Sequence, residues 1–185
     1  MIKAVIFDLD GVIVSTDDCH YQAWQRMADE EGIYFDKTIN HRLRGVSRME
    51  SLEIILERAQ RTYSDEEKVQ MAERKNNYYK DLITKLTPDD ILPGVMSVLS
   101  GLKAKGVKIA IGSSSRNSPG ILEHIGLAGY FDATADGNDI KKSKPDPEVF
   151  VLAAERLGIA PADCLVVEDA HAGVEAGLAG GMKVL

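Results

Sequence analysis

Cysteine is scarce in this sequence. Cys19 and Cys164 are the only two in 185 residues and stand far apart with no partner thiol near either. That excludes a disulfide framework and a thiolate metal site, and leaves reduced, structural thiols as the expectation. Long apolar runs are absent too. The first, Ala4 to Phe7, is stopped by Asp8, so it is no signal-peptide centre, and none approaches the roughly 20 residues that span a bilayer. No membrane partner and a cytoplasmic location are therefore expected. Positive charge is also limited: 22 Lys and Arg against 29 Asp and Glu leave a net charge of −7. An acidic balance disfavours non-specific nucleic-acid binding, so a small anionic substrate would be held by a few local cations. There is no internal repeat and no low-complexity tract.

What is present suits a globular protein, with 44% apolar and 28% charged residues. The length allows one good core with an insertion. Four segments read as short buried strands: residues 3–7, 107–111, 164–167 and 182–185. Helical spacing marks residues 93–105, 120–125, 146–157 and 172–179. Strands alternating with helices predict an α/β fold with a doubly wound parallel sheet. Residues 16 to 87 break the alternation, with at least three helical segments and no convincing strand. Ser47-Arg48-Met49-Glu50 and Ser64-Asp65-Glu66-Glu67 fit the capping box, so helices should begin just after Ser47 and Ser64. The division expected is a core of residues 1–15 and 88–185 carrying a helical insertion of residues 16–87, with the two connecting passages acting as a hinge.

Asp8-Leu9-Asp10-Gly11 follows the first strand. Both carboxylates should then sit at the carboxyl edge of a parallel sheet, where such sheets bind ligands. Taken alone the motif reads equally well as a turn. Three more polar clusters fall where the same topology converges: Gly112-Ser113-Ser114-Ser115-Arg116, Ser143-Lys144-Pro145-Asp146-Pro147, and Glu168-Asp169. A serine-rich loop, a lysine turn and a capping acid are the ordinary readings of each, but their coincidence at one sheet edge points to a site. Carboxylates gathered there would repel one another unless a cation neutralised them, and all-oxygen ligation suits Mg²⁺. Asp8, Asp10 and Asp169 form the natural ligand set, with Glu168 close by. A carboxylate beside such a cation can attack phosphorus, which makes Asp8 the expected nucleophile. Lys144 and the Ser113 hydroxyl are candidates for the phosphoryl oxygens, and Asp10 for the general acid that protonates the leaving oxygen.

In this order the four clusters resemble the haloacid dehalogenase-like phosphotransferase superfamily, across the whole chain. The helical insertion looks like the cap of the subgroup holding phosphoglycolate phosphatases, hexose-phosphate phosphatases and β-phosphoglucomutases. His20-x-x-x-Trp24, Arg44-Gly45-Val46-Ser47-Arg48-Met49-Glu50-Ser51-Leu52, Glu73-Arg74-Lys75-Asn76 and Ser113-Ser114-Ser115-Arg116-Asn117 are similar to signatures of the last branch. The resemblance implies that Asp8 is nucleophile and metal ligand, Asp10 acid/base and metal ligand, and Asp169 a ligand assisted by Glu168. It implies a transferring phosphate on Ser113 and Lys144, and substrate contacts from His20, Trp24, Arg44, Gly45, Arg48, Lys75, Ser114, Ser115, Arg116 and Asn117. Val46, Ser47 and Ser51 join that group by position. The reaction implied interconverts β-glucose 1-phosphate and glucose 6-phosphate through an aspartyl-phosphate and a bisphosphate, in a monomer whose partner is a hexose phosphate.

Arg48 supports this independently. It falls in the first turn of a predicted helix, where the helix dipole disfavours a cation unless an anion also binds. Trp24 follows His20 by four residues, so a helix would set them on one face, although core packing is the commoner role for such a Trp. Two alternatives stay open: a phosphatase with water as acceptor, and a non-catalytic phosphate-binding protein. The resemblance also implies a further loop and helix beyond Leu185, inside the last expected strand.

Overall fold

A computed structural model describes all 185 residues. Five strands make one parallel sheet: β1 (Ala4–Phe7), β2 (Lys108–Gly112), β3 (Ala133–Ala135), β4 (Cys164–Val167) and β5 (Lys183–Val184), in the order β3-β2-β1-β4-β5. Ala4 is in register with Lys108 on one side and with Cys164 on the other. From β1 the chain builds outward to β2 and β3, then crosses back to β4 and β5. The switch point lies at β1, and ligands bind at the carboxyl edge beside such a point.

Eight helices accompany the sheet: α1 (Asp17–Glu30), α2 (Lys37–His41), α3 (Arg48–Leu56), α4 (Asp65–Ile83), α5 (Val95–Ala104), α6 (Ser118–His124), α7 (Glu148–Leu157) and α8 (His171–Ala179). Successive strand side chains point to opposite faces, and here both faces are covered. Val5 and Phe7 join Ile109, Ile111, Leu99 of α5 and Ile121 of α6. Ala4 and Ile6 join Val166, Val149 and Phe150 of α7 and Ala176 of α8. The fold is the expected α/β class, with the sheet wound on both faces.

Helices α1 to α4 carry an apolar cluster of their own, including Trp24, Met27, Leu52, Ile55 and Met71. Ala23, Tyr79 and Ile83 from the same segment belong instead to the cluster under α5 and α6. The helical segment is thus packed onto the sheet and not merely tethered to it. Both expected capping boxes are formed: the Ser47 and Ser64 hydroxyls accept from the Glu50 and Glu67 N–H groups, and those glutamates bond back. Where the chain enters and leaves the segment its two passages pair, with Val14 bridged to Ile91 and Leu92 N–H donating to the Ile13 carbonyl at 2.9 Å.

Two elements depart from expectation. The three-residue edge strand β3 adds a fifth strand to the four expected, pairing Ala110–Gly112 with Ala133–Ala135; two of its residues are alanines, which carry no strand signal. The five-residue α2 is held by the Asp36 side chain, which accepts from Ile39 N–H at 2.8 Å. No helix is long and apolar enough to cross a membrane.

Candidate active site

Asp8 follows β1 directly, and its N–H donates to the Val167 carbonyl of β4 at 2.9 Å, fixing it at the carboxyl edge. Lys144, from the loop before α7, donates from Nζ to Asp8 Oδ1 at 2.7 Å and to Glu168 Oε2 at 2.6 Å. All three side chains are buried. Asp8, Glu168 and Asp169 can each offer one oxygen within 4.8 Å of the others. A single ammonium does not balance three carboxylates. Burial drives the Asp8 carboxyl up to about 7 against the pull of Lys144, and Glu168 adds to the rise. Asp169 is raised by burial and by Glu168. Burial opposes the Lys144 charge, but its two carboxylate partners outweigh it and hold that pKa up. This donor set, all oxygen with negative charge in excess, fits a divalent cation. Gly11 closes the turn with φ 81°, and a Cβ there would collide with the Asp169 carboxylate.

Asp10 stands apart from that trio. Its Oδ1 accepts from Thr16 N–H at 2.9 Å and from the Thr16 hydroxyl, which in turn accepts from Tyr79 at 3.0 Å. Its Oδ2 lies 3.5 Å from His20 Nε2. On the other side of the ring, His20 Nδ1 lies 2.9 Å from Lys75 Nζ. The ionised Asp10 carboxylate can only accept, so the ring proton sits on Nε2, facing it, and Nδ1 is left to accept from Lys75. Burial works to raise Asp10, but the bonds from His20 and Thr16 hold it below its ordinary value. Lys75 is buried beneath the rings of Trp24 and Tyr79, and burial with the nearby Arg48 brings its pKa down to about 7.

Across the cleft, Arg48 at the start of α3 and Arg116 after β2 make no ion pair. Burial and the neighbouring Arg116 hold the Arg48 pKa below its usual value. The Arg116 loop is tied down: Ser115 N–H donates to Ser113 Oγ and Asn117 N–H to Ser115 Oγ, both at 3.2 Å, while Arg116 Nε donates to the Gly137 carbonyl. The Ser114 hydroxyl accepts from Lys144 N–H at 3.4 Å, joining this loop to the lysine.

One cleft of about 660 Å³ is lined by every residue expected at the site except Glu168, which sits behind Lys144. Asp10, expected as a metal ligand, is not among the three clustered carboxylates; its side chain is turned to Thr16 and His20. Trp24 lines the cleft yet is also part of the helical core. Ser47 is engaged as the cap of α3, and Arg44 in an ion pair with Asp17. Thr16 and Tyr79 were not expected, and Asn76 stood in the Glu73–Asn76 signature with no role of its own. Thr16 and Tyr79 meet across 63 residues, a separation that no local pattern reveals.

Residues 2–181 match the haloacid dehalogenase-like hydrolase family. Over 98% of its length the chain is 47% identical to a β-phosphoglucomutase of Bacillus subtilis, covering 81% of that protein. It is 32% identical to a phosphorylated carbohydrates phosphatase of Thermotoga maritima, with 98% and 83% covered. The crystal structure of a β-phosphoglucomutase from Clostridium difficile superposes with a TM-score of 0.93 at 46% identity, covering all of this chain and 83% of that one.

Proposed function

The chain belongs to the haloacid dehalogenase-like hydrolase family, and from that premise we propose that it is a phosphomutase interconverting β-glucose 1-phosphate and glucose 6-phosphate. The observation that carries this reading is that one cleft is lined both by Lys144, Ser113 and the carboxylates Asp8 and Asp169 and by Arg48 and Arg116, two further cations that make no ion pair and can hold a second phosphate. A monophosphatase needs one phosphate site, whereas an enzyme that turns over a bisphosphate needs two. The 47% identity to the Bacillus mutase supports the same choice.

Asp8 is the nucleophile in this reading. Phosphorylated Asp8 gives its phosphoryl group to the free sugar hydroxyl, breaking the Asp8 O–P bond, while Asp10 takes the hydroxyl proton. The resulting bisphosphate turns end for end. Asp8 then attacks the other phosphorus, and Asp10 returns the proton to the departing sugar oxygen. Lys144 and Ser113 hold the transferring phosphoryl oxygens, with Lys144 neutralising charge as it develops. His20 and Thr16 aim the Asp10 carboxylate. Asp8, Glu168 and Asp169 would hold Mg²⁺, which supplies charge neutralisation at the phosphoryl group when bound. The remaining phosphate rests on Arg48, Arg116 and Asn117, with Ser114 and Ser115 shaping that loop.

Water is the competing acceptor, and the segment of residues 16–87 acts as the cap that excludes it. Time-resolved ³¹P NMR with Mg²⁺, β-glucose 1-phosphate and a trace of glucose 1,6-bisphosphate tests the reading. Glucose 6-phosphate with little inorganic phosphate is expected. Inorganic phosphate as the main product would make the chain a phosphatase, like its Thermotoga relative.

A further inference from the structure

We propose that Asn76 is a positioning residue: its side-chain amide clasps that of Asn117 across the cleft and keeps water away from phosphorylated Asp8. The inference rests on the aspartyl-phosphate reading but not on the identity of the acceptor. Asn117 Nδ2 donates to Asn76 Oδ1 at 3.0 Å, joining α4 to the loop after β2. Both residues line the cleft. The Asn117 backbone N–H is held by Ser115 Oγ at 3.2 Å, so α4 meets a loop that is already fixed.

The neighbourhood explains why an amide pair stands there. Arg48 and Arg116 line the same cleft and repel one another, and Glu73 offsets that repulsion only in part. An uncharged donor–acceptor pair is not repelled and needs no ligand, so it can hold the cleft shut beforehand. Asn76 also follows Lys75, whose ammonium meets His20 beside Asp10. One turn of α4 therefore grips both the acid/base end and the distal loop. Gly45, which also lines the cleft, comes so close to the sheet portion that a Cβ on it would lie 2.9 Å from Ala170 Cβ. The clasp and the Gly45 contact are thus two points at which residues lining the cleft meet across it from the helical segment and the sheet portion.

The experiment follows the lifetime of phosphorylated Asp8 with no sugar present, in the full chain with Mg²⁺, for Asn76→Leu, Asn117→Leu and the double variant. Asn76→Leu should shorten the lifetime about fivefold, the weight of one neutral hydrogen bond, and the double variant should be no shorter-lived than the more affected single. Metal affinity should not change. Additive effects in the double variant, or an unchanged lifetime in Asn76→Leu, would overturn the proposal. A residue with a merely structural role in α4 would lower the melting temperature without coupling to Asn117. Should Asn76→Leu fail to fold, Asn76→Ser removes the same bond with a small polar side chain. A protein that releases phosphate as its main product would end the mutase reading and leave this test intact. Absence of any phosphorylated Asp8 would end both.

Discussion

At the scale of single residues the site is a set of opposed electrostatic choices. Asp8 is buried and pushed up to about 7, while Asp10, two residues on, is held low by His20 and Thr16. That split gives two carboxylates two tasks. Asp10→Asn should lower kcat by about 10²–10⁴-fold and leave binding of a divalent cation nearly unchanged, because Asp10 lies outside the carboxylate trio; parallel loss of both in kinetics and calorimetry would show that it is a ligand first. Lys75 gives a sharper test. Its folded pKa of about 7 lies below the ordinary 10.5, so the native state binds fewer protons than the unfolded chain between those values. The cost of burying its charge is present in full below pH 7 and is relieved as pH rises from there towards 10.5. Lys75→Met should therefore stabilise the fold by on the order of 1–4 kcal/mol at pH 6, by analogy with apolar replacement of other buried charges. The gain should shrink towards pH 10, and kcat should fall as His20 loses its partner. Denaturant unfolding at pH 6 and pH 9 decides it, and a gain independent of pH would remove the assigned shift.

At the scale of elements, the question is what the loop before α3 and helix α4 are for. Gly45 holds φ 73° against Ala170. The resemblance offers it as a substrate contact, and it lines the cleft; a side chain there would also run into Ala170, between β4 and α8. Gly45→Ala should cost about 1 kcal/mol from its left-handed backbone. Ser64→Ala, which removes the α4 cap, should cost a similar amount, about 1 kcal/mol. Only Gly45→Ala should raise phosphate release relative to sugar transfer, as read by ³¹P NMR; an equal rise in both would assign the effect to instability. Legibility divides along the same line. The strands β1, β2, β4 and β5 and both capping boxes were readable because apolar period and cap spacing are local. The alanine-built β3 has no such signal, since its strand character comes from pairing with β2. The sheet-edge residues of the site were legible because topology alone gathers strand ends. The Thr16–Tyr79 and Asn76–Asn117 bonds span 63 and 41 residues, and only the packed helical segment brings them together.

At the scale of the whole molecule, a chain of net charge −7 concentrates Arg48, Lys75, Arg116 and Lys144 around one cleft and then sets three carboxylates beside the last of them. The fold therefore bears a destabilising charge cluster that a divalent cation would relieve. A cation that binds only the native state adds RT ln(1 + [L]/Kd) to stability, about 2.7 kcal/mol at a hundredfold excess over Kd. Protons compete with it at Asp8, whose folded pKa of about 7 is raised above the ordinary 3.8. Without metal, the native state holds a proton there that the unfolded chain has lost, so stability falls as pH climbs from 4 to 7. With metal, the ionised carboxylate has a partner and that loss is offset. The stabilisation by Mg²⁺ over EDTA should consequently be small at pH 5 and grow to pH 8, and Asp8→Asn should flatten that dependence. Thermal unfolding at the two pH values, with and without the ion, measures it. A metal effect of equal size at both would mean that the ion does not bind at Asp8, and the assignment of the trio as the metal site would have to be given up.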